Sequence, residues 1–91
     1  MRKSFSDLRV NKSHVIERFG EEMTIFEIQK SKIHRLNESA SYIYRTIEKG
    51  KNEQDIVLLF KSRYQISLEE ARKDVSLTLK QMLRKNIISC G

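Results

Sequence analysis

The sequence predicts an α+β domain, a three-stranded antiparallel sheet followed by three helices. Three observations predict it. β-branched and aromatic residues concentrate between Val15 and Leu36, with partial two-residue alternation. From Ala40 onward the apolar residues recur instead at helical spacing. Helix-start signals at Asn37, Asn52 and Ser67 each precede such a run, and Gly50 closes the first of them.

Met1 to Lys12 holds Phe5, Leu8 and Val10 as its only strong apolar residues. This predicts a loose arm with at most one short extended piece. Val15 to Phe19 and Met23 to Ile28 read as two strands joined at Gly20-Glu21. Gln29-Lys30-Ser31 makes a second turn, and Lys32 to Leu36 is the third strand. It runs almost without a loop into the first helix, Glu38 to Lys49, with Asn37 as N-cap and Gly50 just past the end. The second helix starts after Asn52, with Asp55 in a capping-box-like position. It ends near Tyr64, with Ile56, Leu59 and Phe60 as its apolar face. Ser67-Leu68-Glu69-Glu70 is a capping box for the third helix, whose stripe is Leu68, Ala71, Val75, Leu79, Met82 and Leu83. Asn86 can end that helix, and Ile87-Ile88 would then pack back on the core. Leu77 falls nearly opposite Val75 and Leu79, on the exposed side.

One domain over residues 1–91 accounts for the length, because there is no proline and only three glycines to make a linker. A hydrophobic fraction of 38% and a charged fraction of 33% suit a soluble fold with one modest core. No apolar run approaches a bilayer span, and no membrane partner or signal peptide is expected. The lone Cys90 makes no internal disulfide and reads as a free thiol on a frayed tail, with the cytoplasm as the default compartment. Eighteen Lys and Arg against twelve Asp and Glu give +6, which favours an anionic partner such as nucleic acid or an acidic peptide. The cations are interleaved with acids, however, rather than forming a stripe.

Catalysis needs convergent groups, and the sequence offers none. His14 and His34 lie in strand regions with no metal-ligand spacing, and no glycine-rich phosphate loop is present. Glu21-Glu22 reads as a turn and Glu69-Glu70 as a helix first turn. No catalytic residue, cofactor or metal is therefore assigned, and binding is the expected activity.

Arg35-Leu36-Asn37-Glu38-Ser39-Ala40 is followed by Tyr42-Ile43-Tyr44, Asp55-Ile56-Val57, Glu69-Glu70-Ala71-Arg72-Lys73-Asp74-Val75, and then Leu79 and Leu83. In this order and spacing, from about Val15 to Ile88, the chain resembles the pyrroloquinoline-quinone biosynthesis D-like family. These domains are also called recognition elements of RiPPs, ribosomally made and post-translationally modified peptides. The resemblance implies a winged-helix-like fold and a non-catalytic peptide chaperone. Such a protein binds the leader segment of a precursor peptide as an added strand beside the third strand, in a groove shared with the third helix. It then presents the leader to a modifying enzyme such as a leader peptidase, cyclase or radical enzyme. Two features depart from the quinone-pathway members: this chain has no Trp in the second strand and no proline-bearing turn after it. The run Lys32-Ile33-His34-Arg35-Leu36-Asn37 looks more like the stand-alone leader-binding proteins of lasso-peptide clusters. The resemblance therefore favours a lasso-type or related pathway, with quinone biosynthesis as the alternative.

Strand addition has a direct physical basis, since an edge strand leaves N–H and C=O groups that an extended peptide can satisfy. Candidate peptide-binding residues are Lys32, Ile33, His34, Arg35 and Leu36 on the edge, with Asp74, Thr78 and Gln81 on the helix flank. Val75 and Met82 are candidates for the floor of an apolar pocket. Lys32 and Arg35 either pair with leader acids or keep the edge from pairing with another copy. Two rival readings remain. A winged-helix DNA-binding protein suits the helical order and the charge, but Glu69, Glu70 and Asp74 load the third helix's N-terminal half with acid, which argues against nucleic acid. A purely structural enzyme subunit would dock through Leu77 and the N-terminal arm.

Overall fold

In the computed structural model, which describes Phe5 and residues 7–90, the chain runs β1 (Leu8–Val10), β2 (Val15–Phe19), β3 (Glu22–Glu27), a 3-10 turn (Ile28–Lys30), β4 (Lys32–Leu36), α1 (Glu38–Glu48), α2 (Glu53–Tyr64), α3 (Leu68–Arg84) and β5 (Ile88–Cys90). The predicted α+β architecture is present: an antiparallel sheet of order β2-β3-β4 and then three helices.

Alternation sets the sheet's faces. Met23, Ile25 and Glu27 of β3 are buried, whereas Thr24 and Phe26 between them are only half-buried. The β2–β3 loop is Gly20-Glu21, with Gly20 at φ +57. A glycine at the first of two loop positions suits a hairpin, because positive φ carries no steric penalty there. Ser31, at φ 52, closes the turn into β4, its N–H donating to the Ile28 carbonyl at 3.2 Å.

The helix starts are capped as the sequence suggests. The Asn37 side chain accepts from the Ala40 N–H at 2.9 Å, Asn52 from the Asp55 N–H at 2.9 Å, and the Ser67 hydroxyl oxygen from the Glu70 N–H at 3.0 Å. Each cap is worth about 1 kcal/mol. The Ser67 hydroxyl also donates to the Glu70 carboxylate at 3.1 Å, a side-chain bond added to the cap. Gly50 follows α1 at φ +81.

The helices pack beneath the sheet. Ile43, Tyr44 and Ile47 of α1 join Met23, Ile25 and Leu36 from the strands and Ile56, Val57, Phe60, Ala71, Val75, Leu79 and Met82 from α2 and α3 in one core. Each large side chain buried this way stabilises the fold by about 1.5–3 kcal/mol.

Three expectations need correction. The arm is not loose from Leu8 onward. β1 pairs antiparallel with β5, Leu8 is buried, and Phe5 and Val10 pack against the core. Residues 1–4 and 6 of the arm lie outside the described residues. Cys90 is accordingly not on a frayed tail: it pairs with Leu8 in that two-stranded ribbon, with its thiol exposed. On α2 the buried position is Val57, while Leu59 is exposed, as is Leu68 at the start of α3.

The Tyr44 hydroxyl is buried and has no hydrogen-bond partner among the described residues, and burial pushes its pKa up to about 12. Leaving a buried hydroxyl unsatisfied is unfavourable by about 1–3 kcal/mol. Tyr44→Phe removes that oxygen with little change in shape. It is expected to leave stability unchanged or raise it by about 1 kcal/mol in urea unfolding.

Candidate peptide-binding site

β4 reaches the surface as an edge strand because the chain turns directly into α1 at Asn37. It pairs with β3 on one flank, and no strand among the described residues occupies the other. The pairing register sorts its side chains onto two faces. Lys32, His34 and Leu36 lie opposite Glu27, Ile25 and Met23, on the face turned to the core. Ile33 and Arg35 lie opposite Phe26 and Thr24, on the outer face. Of the five, only Leu36 is buried, and Ile33 is 59% exposed. Lys32 and Arg35 therefore cannot serve the same face of an added strand.

A cluster of basic groups around the Glu27 carboxylate lies on the inner side of this edge, with His34 hydrogen-bonded to it. His34 Nε2 lies 3.2 Å from the Glu27 Oε1, His14 Nε2 lies 3.9 Å from the same oxygen, and Lys30 Nζ is 3.5 Å from Oε2. The three ring and carboxyl groups form no metal-holding arrangement. The hydrogen bond to His34 is the main influence holding the Glu27 carboxyl below its usual range, opposed by burial and aided by the charges of Lys30 and His14. Sequence reasoning missed Glu27, although it continues the inward alternation of Met23 and Ile25. Its depressed folded pKa means its contribution to stability is present above the ordinary carboxylate range. That contribution is lost as pH falls through the lowered folded value. Urea midpoints measured between about pH 6 and pH 3 should fall on acidification, less steeply in Glu27→Gln. An unchanged slope in the variant would assign the acid sensitivity to other carboxylates.

The α3 candidates fall into two sets. Asp74 and Gln81 are exposed and Thr78 half-buried, along one flank of the helix. Val75 and Met82 are 0% and 2% exposed, within the core beside that flank. α3 packs on α2 and β5, while β4 packs on β3 and α1. Leu77 is exposed on α3.

Two cavities outside these candidates are notable. One of about 510 Å³ sits at the turn end of the sheet, where His14, Glu27 and Lys30 face Lys12 and Asn86. His14 Nδ1 is buried without a hydrogen-bond partner among the described residues. The other, about 430 Å³, is lined by Tyr42, Lys49, Lys51, Arg45 and Arg63, and the two arginines share the Glu21 carboxylate at 3.2 Å each. No motif spacing flags that cavity, because its residues come from a hairpin turn and two helices.

The family model for coenzyme PQQ synthesis protein D (PqqD) matches residues 22–88, which include β3, β4 and all three helices. No curated protein is significantly similar in sequence. Two solved structures share the fold. One is TbiB1 in complex with the TbiA(beta) leader peptide, 18% identical, covering 89% of this chain and 94% of that one with a TM-score of 0.82. The other is a lasso peptide synthetase B1 complexed with the leader peptide, 14% identical, covering 92% and 99% with a TM-score of 0.83. No helix among the described residues is long and apolar enough to cross a membrane.

Proposed function

The chain belongs to the coenzyme PQQ synthesis protein D family, and we propose that it is a non-catalytic chaperone for the leader segment of a ribosomal precursor peptide. The leader adds as a strand to the open flank of β4, contacting Lys32, Ile33, His34, Arg35 and Leu36. Asp74, Thr78 and Gln81 of α3 form the facing wall, and Val75 and Met82 floor the furrow between them. Residues 1–91 act as one recognition domain in the cytoplasm, handing the bound leader to a peptidase, cyclase or radical enzyme.

The observation that carries this reading is the unpaired flank of β4, since vacant main-chain donors and acceptors are what strand addition requires. The fold shared with two leader-bound proteins supports it. The lasso-type pathway is the preferred setting. The family's quinone-pathway members are the second reading, favoured by the description of the matching family model. The exposed Glu69, Glu70 and Asp74 on the N-terminal half of α3 weigh against DNA as the ligand.

The test is titration of isotope-labelled protein with the leader of a precursor encoded beside it, followed by amide NMR. The amides of residues 32–36 should shift and gain exchange protection. Shifts confined to the helices would overturn strand addition at β4. Retention on duplex DNA, with a steep loss as salt rises, would instead favour the DNA reading.

A further inference from the structure

The outer face of the sheet carries two cross-strand rows with opposite chemistry. In one, Val15 of β2, Phe26 of β3 and Ile33 of β4 lie side by side. Its end members, Val15 and Ile33, are 50% and 59% exposed, leaving an apolar strip that runs out to the β4 edge. In the neighbouring row Glu17, Thr24 and Arg35 lie side by side. Arg35 ends that row at the same edge, exposed, and has no acidic partner within 4 Å among the described residues. The nearest acids on this face are Glu22, diagonal to it on β3 at roughly 8 Å between backbones, and Glu17, two strands away at roughly 10 Å, and at an exposed edge solvent screening weakens both.

Resting on the strand-addition reading, we propose that this outer face selects the peptide. The added strand carries an apolar residue beside Ile33 and an acidic residue beside Arg35, two positions apart. A strand on the open flank of β4 extends each row by one member. Side chains on the same face of a strand are spaced by two, so the two neighbours are separated by one inward-pointing residue. Cross-strand pairs on one face contribute about 0.2–1 kcal/mol each, and like charges placed opposite one another are unfavourable. An apolar neighbour removes the exposed end of the first strip from water, and an acid directly opposite gives Arg35 a counter-charge in contact, which no described residue within 4 Å provides. Lys32 takes no part, because it lies on the other face. The selected segment is therefore an extended peptide with an apolar–any–acidic pattern, in one chain direction or the other.

The experiment is selection of a displayed library of random peptides, each about ten residues long, against the wild-type protein, Arg35→Glu and Ile33→Thr. Both substitutions are at exposed positions, and thermal unfolding checks that the fold is kept. Wild-type protein should enrich an acid two positions from an apolar residue. Arg35→Glu should enrich Lys or Arg at the acid's position with the rest of the pattern unchanged, and Ile33→Thr should lose the apolar preference alone. For one selected peptide, replacing its acid by Lys should weaken wild-type binding about three- to tenfold, and Arg35→Glu should reverse that order. The discrimination should fade at about 1 M salt.

Amide NMR with the selected peptide separates the two possible failures. Peptides that shift residues 32–36 but whose pattern ignores Arg35→Glu would leave strand addition standing. They would overturn this proposal, leaving Arg35 as a guard against self-pairing. Peptides that never perturb β4 would overturn the strand-addition reading, and this proposal with it.

Discussion

Proline placed separately at Ile33 and at His34 is expected to divide folding from peptide capture. Successive N–H groups along a strand point to opposite edges, so one of these two donates to β3 and the other faces the open flank of β4. Proline at the β3-facing position removes a ladder hydrogen bond from a sheet of only three strands, and should cost about 3 kcal/mol. Proline at the outward position leaves the β3–β4 ladder whole, so stability should change by under about 1 kcal/mol. There it removes a donor and sets a ring where the incoming backbone must approach, and affinity should drop by about ten- to a hundredfold. Because His34 also bonds Glu27, His34→Gln serves as its control, retaining the N–H while losing the ring. Urea unfolding and peptide titration read the two effects. Undiminished binding by both proline variants, each folded, would rule out main-chain pairing at this edge.

What made that edge legible was local. Met23 and Ile25 alternate inward, and the Asn37 cap follows Leu36 with no room for another strand, so the boundaries of β2, β3 and β4 fall within about a residue of expectation. The same alternation separates Lys32 from Arg35, a consequence readable without coordinates. Less local features were not legible. The β1–β5 ribbon joins Leu8 to Cys90, two three-residue segments at opposite ends of the chain, and neither alternates for long enough to announce a strand. On α2 the run Ile56-Val57-Leu58-Leu59-Phe60 is apolar in every direction. Packing against α3, not periodicity, decided that Val57 turns inward and Leu59 outward. The convergence of Arg45 and Arg63 on Glu21 likewise depends on where a hairpin tip meets two helices.

Met82→Ala and Leu79→Ala are expected to destabilise the protein alike and to differ in binding. Both side chains are buried on α3, Leu79 fully and Met82 to 2% exposure, and truncating either should cost about 2–5 kcal/mol. A domain of this size holds roughly 5–14 kcal/mol in total, so either change consumes a large share of it. Helical geometry sets the two residues apart. Met82 is turned only about 40° from Thr78, on the flank proposed to face the peptide, and Leu79 about 100°. If Met82 floors the furrow beneath Thr78 and Gln81, its truncation should weaken peptide binding by the folded fraction about fivefold or more. Truncating Leu79 should leave that affinity within about twofold. Where the alanine variants are too unstable to titrate, Met82→Leu and Leu79→Val make a milder pair, each losing under about 1.5 kcal/mol. Equal affinities across the pair would confine Met82 to the core and place the peptide's inward side chains elsewhere. The cavity between the sheet's turn end and Asn86 would then be the next wall to examine, because Lys30 borders it two residues before β4 begins.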